Sequence, residues 1–147
     1  MNSFNHYAYG AIGAWMYAAV AGIDVDPQQP GYKHIVMRPR PGGELTSASA
    51  ELRSIYGPIR SAWKLGNDSF DWQIKVPANT TATVYVPAGA GATVREGDAP
   101  AGEAPGVRFL RHEAGASVYE VGAGAYHFAA DTVAQAATRP SLAAPLR

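Results

Sequence analysis

Two carboxylates set on opposite sides of a bond, one giving and one taking a proton, can hydrolyse it. The acidic residues of this chain offer poor pairs. Asp24 and Asp26 lie in a proline-rich connector, and Asp68 and Asp71 flank the turn Gly66-Asn67-Asp68, where Asp is favoured for bonding to the backbone. Glu44, Glu51, Glu113 and Glu120 fall on strands or at their ends, so each reads as solvated surface charge. There is no G-x-S-x-G elbow to present a nucleophilic serine. The chain has no cysteine, and its four histidines (His6, His34, His112, His127) show no H-x-x-x-H spacing, so no metal centre is expected. No glycine-rich phosphate loop follows a strand, and no cofactor is expected.

Two features remain. His6 stands in the first turn of an otherwise apolar segment, between Asn5 and Tyr7. Free amides at a helix start favour anions and polar ligands, while the ordinary reading of a lone histidine is a hydrogen-bonded core residue. Trp15, Trp63 and Trp72 are the three tryptophans. Trp63 and Trp72 sit on strands joined by a tight turn, either as a sugar-stacking platform or, as alternation favours, as parts of one core.

The elements that must position these residues are few. Residues 1–23 read as one strongly apolar helix. Ser3 is its N-cap, and Phe4, Tyr7, Ala8, Ala11, Ile12, Trp15, Met16 and Ala19 recur at three- and four-residue spacing. Gly10 and Gly13 inside it each cost roughly 1 kcal/mol against alanine and suggest close approach by another element. Gly22 suits a left-handed stop. Residues 24–31 (DVDPQQPG) form a connector in which two prolines and a glycine oppose regular structure. Strand patterns follow at 32–39, 45–56, 59–65, 70–76, 81–86, 93–95, 107–112, 117–121 and 125–129. Residues 96–106 read as a solvated loop without an apolar anchor, and the alanine-rich residues 131–147 as a disordered tail. The fold class is mainly β: an antiparallel sandwich of about eight strands over 32–130, preceded by one apolar helix.

Twelve basic and twelve acidic residues give zero net charge, without a long basic run. Nucleic-acid binding is therefore not expected. The helix lacks a positive leader and is interrupted by Asn5, His6 and three tyrosines, so it reads as neither a signal peptide nor a membrane span.

The string Ser3-Phe4-Asn5-His6-Tyr7-Ala8-Tyr9-Gly10, with Gly13, Trp15-Met16-Tyr17 and Ala21-Gly22-Ile23, resembles the closing helix of the catalytic barrel in bacterial α-L-rhamnosidases of glycoside hydrolase family 78. Gly31-Tyr32-Lys33-His34, Arg38-Pro39, Pro41-Gly42-Gly43, Tyr56-Gly57, Trp63 and the run from Pro77 to Pro87 (PANTTATVYVP) resemble that family's C-terminal β-domain. The likeness is strong over residues 2–95 and absent in the tail. It implies that the parent enzyme removes terminal α-L-rhamnose from glycosides by inversion, and that an (α/α)6 barrel carries the acid and base glutamates. Both glutamates would lie upstream of residue 1. His6 matches the position that contacts rhamnose, and Asn5 is its companion.

Two functional expectations follow. In one, the chain is the C-terminal part of such an enzyme, without acid or base and inactive alone, its β-domain buttressing the barrel. Its partners are then a rhamnosyl glycoside in the intact enzyme and the missing upstream barrel; the exposed helix also invites self-association. In the other, the chain is a stand-alone carbohydrate-binding or protein-interaction module. Stacking on sugar needs aromatic side chains together on a solvent face, so the direction of Trp63 and Trp72 separates the two.

Overall fold

Alternation of apolar and polar residues builds the strands Gly57–Leu65, Ser69–Val76 and Thr81–Pro87, and these strands pair so that their apolar faces point inward. The computed structural model describes residues 6–131. The expected strands appear as β2 (His34–Met37), β3 (Ser47–Ser54), β4 (Gly57–Leu65), β5 (Ser69–Val76), β6 (Thr81–Pro87), β7 (Val94–Glu96), β9 (Val107–Glu113), β10 (Ala116–Val121) and β11 (Gly124–Asp131). Two more join them, β1 (Ile23–Val25) and β8 (Ala99–Pro100). One sheet has the order β1-β2-β6-β10-β9 and the other β3-β4-β5-β11-β7-β8.

All pairings are antiparallel except β2 with β6. Those two run parallel because β3, β4 and β5, in the opposite sheet, form the connection between them. The His34 imidazole joins the parallel pair, its two nitrogens each 2.7 Å from the hydroxyls of Thr81 and Thr83.

Along β4, Ile59, Ser61 and Trp63 are buried while Arg60, Ala62 and Lys64 are exposed; along β5, Phe70, Trp72, Ile74 and Val76 are buried. Trp63 pairs directly with Trp72. Their sheet meets Ile35, Met37, Val84 and Val86 of the other in one core, and Tyr119 of β10 stacks on Phe128 of β11 with ring centroids 5.8 Å apart.

Three expectations need correction. The connector is not irregular throughout: Ile23–Val25 pairs with Ile35–Met37, because Ile23 is as apolar as the core it enters and precedes the first proline. The segment 96–106 is anchored, since a 3-10 turn at Ala101–Glu103 follows β8 and both Ala101 and Ala104 are buried. Two small side chains suffice where the backbone itself packs close. The helix occupies His6–Trp15 (α1) and continues as a π-helical segment, Met16–Ala21. Nothing lies within 4 Å of where a Cβ would stand on Gly10 or Gly13, so no described element approaches those glycines. The tail expected at 131–147 falls, beyond Asp131, outside the described residues.

Candidate functional site

Among the described residues, the helix is joined to the sandwich at its C-terminal end, where it is π-wound. A helix leaves its last carbonyls unpaired. Here they meet donors from the core sheet. The Trp63 indole N–H donates to the Val20 carbonyl at 2.8 Å, and the Ser61 hydroxyl donates to the Ala21 carbonyl at 2.5 Å. Ser61 in turn accepts the Trp72 indole N–H at 2.9 Å. The backbone N–H groups of Arg38 and Arg40 donate to the Gly22 and Ala19 carbonyls, both at 3.0 Å, and the Tyr17 hydroxyl donates to the Glu51 carbonyl at 3.2 Å.

Gly22 closes the helix at φ 77°, ψ 33°, its N–H donating to the Tyr17 carbonyl. This five-residue return is the π pattern. A Cβ on Gly22 would stand 2.2 Å from the Pro39 nitrogen, so both the left-handed conformation and the close approach require glycine.

Beyond the joint the helix is bare. From Tyr7 to Tyr17 every residue is exposed except Gly13, which is intermediate; Tyr7 is 88% exposed, Trp15 61% and Ile12 55%. An isolated helix this short is marginal in water, and a helix apolar on all sides is ordinarily buried. The apolar stripe is therefore present as expected, but no described element covers it.

His6 opens α1, at the end of the helix remote from the joint; its side chain and the whole of Asn5 lie outside the described residues. The candidate platform is not one: Trp63 and Trp72 are 1% and 0% exposed. They belong to the core, and their indole nitrogens serve the joint. The acidic residues sit on the surface. Glu51 pairs with Arg60, Glu120 with Arg108 at 2.9 Å, Glu113 with Arg111 at 2.6 Å and Asp71 with His127 at 2.6 Å. Asp24 and Asp26 accept from the amides of Val25 and Gln28. Among the described residues, no group of His, Asp and Glu could hold a metal ion.

Ser61 becomes a functional residue only through the structure, although a signal is present in the sequence. A hydroxyl between Ile59 and Trp63 on the apolar face of a strand must find a buried partner.

Comparison with known proteins places this geometry. A family model described as the bacterial alpha-L-rhamnosidase C-terminal domain matches residues 22–99. An alpha-L-rhamnosidase of Streptomyces avermitilis is 45% identical over 128 residues, which is 87% of this chain and 12% of that protein. The crystal structure of the Streptomyces avermitilis alpha-L-rhamnosidase complexed with L-rhamnose superposes with TM-score 0.73 at 44% identity, over 88% of this chain and 12% of that one. The alpha-L-rhamnosidase structure from Dictyoglumus thermophilum gives TM-score 0.75 at 34% identity, over 90% of this chain and 15% of that one. This chain thus spans a small part of the length of the relatives it matches.

Proposed function

Because this chain belongs to the family of bacterial α-L-rhamnosidase C-terminal domains, we propose that it serves as the C-terminal unit of an enzyme that hydrolyses terminal α-L-rhamnose from glycosides. The observation that carries this reading is the bare helix α1. An apolar helix clamped at one end to a sandwich and uncovered along its length is shaped to complete a helical layer supplied by another part of the protein. In this proposal that layer is an (α/α)6 barrel, and residues 1–23 are its closing helix. Residues 24–31 then lead into the sandwich at 32–130, and 131–147 form a tail.

The chemistry follows the same division. The general acid and the base that activates water for inversion reside on the barrel, not on this chain, whose acidic residues are occupied in surface pairs and turns. A barrel helix with His6 at its free end carries that residue toward the sugar, where an imidazole can hydrogen-bond a rhamnose hydroxyl; Asn5 supports it. The sandwich holds the other end fixed through Ser61, Trp63 and the backbone at Arg38 and Arg40. In this chain alone, the face meant for the barrel is open to self-association. The alternative of a stand-alone binding module on the tryptophans has no support, since both strand tryptophans are buried.

The test is rhamnose release from p-nitrophenyl α-L-rhamnoside. We expect none from this chain and turnover from the chain extended upstream through a full barrel. In the extended protein, His6→Ala should lower kcat/KM by about 10- to 100-fold, the worth of one or two polar contacts to the sugar. Turnover by the 147-residue chain alone would overturn the reading.

A further inference from the structure

A cleft of about 590 Å³ opens at one end of the sandwich, beside the helix joint. Its walls come from the loop after β2, the β4–β5 hairpin, the end of β6 and the β9–β10 hairpin. That volume suits a small ligand. Much of the lining is apolar, including Pro39, Leu65 and Pro87, and among the described residues its charged members are Arg38 and Arg40.

The two arginines are built into place. They alternate with Pro39 and Pro41, whose rings fix φ; Pro39 is buried while both arginines are exposed, so period-two geometry sets them on one side of the chain. Their backbone N–H groups are tied to the helix end, as described above. The Arg38 guanidinium lies over the Tyr85 ring, 4.6 Å from its centroid.

Arg38 is paired with Glu113 only at long range, through a carboxylate it shares with Arg111. Glu113 is engaged by Arg111, whose Nη2 and Nε donate to Oε1 at 2.6 and 2.9 Å. Arg38 approaches Glu113 only to 3.7 Å, longer than a hydrogen bond. Arg40 forms no ion pair among the described residues.

We propose that this cleft is a binding site for a carboxylated saccharide, with Arg38 and Arg40 as its anion-binding residues. Guanidinium groups present donors in a planar fork that matches a carboxylate, and the backbone bonds at Arg38 and Arg40 fix where both side chains leave the chain. The saccharide part rests on the glycosidase reading above; the anion part rests on the cleft alone. The helix rises about 1.5 Å per residue, so the cleft lies roughly 20 Å from His6. It would grip an acidic segment of a glycan remote from the rhamnose being released.

The experiment is calorimetric titration of the whole chain with trigalacturonate, its methyl ester, and a sulfated galactose trisaccharide of equal length. Trigalacturonate should bind at least tenfold more tightly than either, and its affinity should fall as salt is added. Arg40→Ala should weaken it tenfold or more with an unchanged circular dichroism spectrum, and Arg40→Lys, which keeps charge but loses the fork, should restore only part. Equal binding of acid and ester, no binding of the acid, tighter binding of the sulfated sugar, or full affinity in folded Arg40→Ala would each overturn the proposal. Acid preference without rhamnosidase activity in the barrel-extended protein would sink only the glycosidase reading. Activity without acid preference would sink only the cleft.

Discussion

Ser61 shows how one hydroxyl ties two parts of the molecule together. It accepts from Trp72 and donates to Ala21, so the core sheet and the helix end share a single buried oxygen. Ser61→Ala would leave a buried indole N–H and a buried carbonyl without a partner. The expected loss is about 1–3 kcal/mol of unfolding free energy, seen as a lower urea midpoint with an unchanged m-value. Such a residue is legible in sequence as a polar interruption of an apolar face. Its partners are not, because Ala21 lies forty positions away and only packing brings it near.

The helix α1 lies uncovered by any other described element. The apolar side chains of α1, Ile12 and Trp15 among them, contribute little to the stability of this chain, since they remain in water. Ile12→Lys and Trp15→Lys should therefore change the unfolding free energy of the 147-residue chain by no more than about 0.5 kcal/mol, the range for exposed sites. In the barrel-extended protein, the same changes would bury an unpaired ammonium, and activity or yield of folded enzyme should fall at least about tenfold. Thermal melts of both proteins, with rhamnose release from the longer one, check the contrast. Indifference of the longer protein to both lysines would show that the barrel does not cover this face. The helix itself was legible from its three- and four-residue spacing. Its π-wound last turns were not, and the donors that meet their carbonyls come from β4 and from the loop after β2, far along the chain.

At the scale of the whole molecule, the sandwich is held by a shared aromatic core with tyrosines at its margin. Burial raises the ionisation of the Tyr119 and Tyr126 hydroxyls above the ordinary value of 10.0, and nearby Glu96 adds to the rise at Tyr126. In the unfolded chain, both would ionise near that ordinary value. Their contribution to stability is thus complete below pH 10 and is lost as pH climbs through the raised folded values. Urea midpoints should be level approaching pH 10 and decline above it, and Tyr126→Phe should flatten part of the decline. A decline of equal size in that variant would assign the alkaline loss to other groups.

The strands were open to reading from the chain alone because their information is local. Phe70, Trp72, Ile74 and Val76 alternate with polar neighbours, turns at Gly66-Asn67-Asp68 and Pro77-Ala78-Asn79 bound them, and the period-two rule needs nothing further. Asn79 takes the positive φ its turn demands. The likeness to the rhamnosidase family was equally local, carried by contiguous motifs. What required three dimensions is everything set by contacts distant in sequence. The parallel pairing of β2 with β6, the entry of Ile23 into the sheet and the burial of Ala101 and Ala104 depend on where other strands lie. So do the closing of Ser61 onto the helix end and the meeting of Arg38, Arg40 and Tyr85 at one cleft. Alternation tells a strand which face is apolar, but which neighbour that face meets is chosen by the competition of all faces for one core.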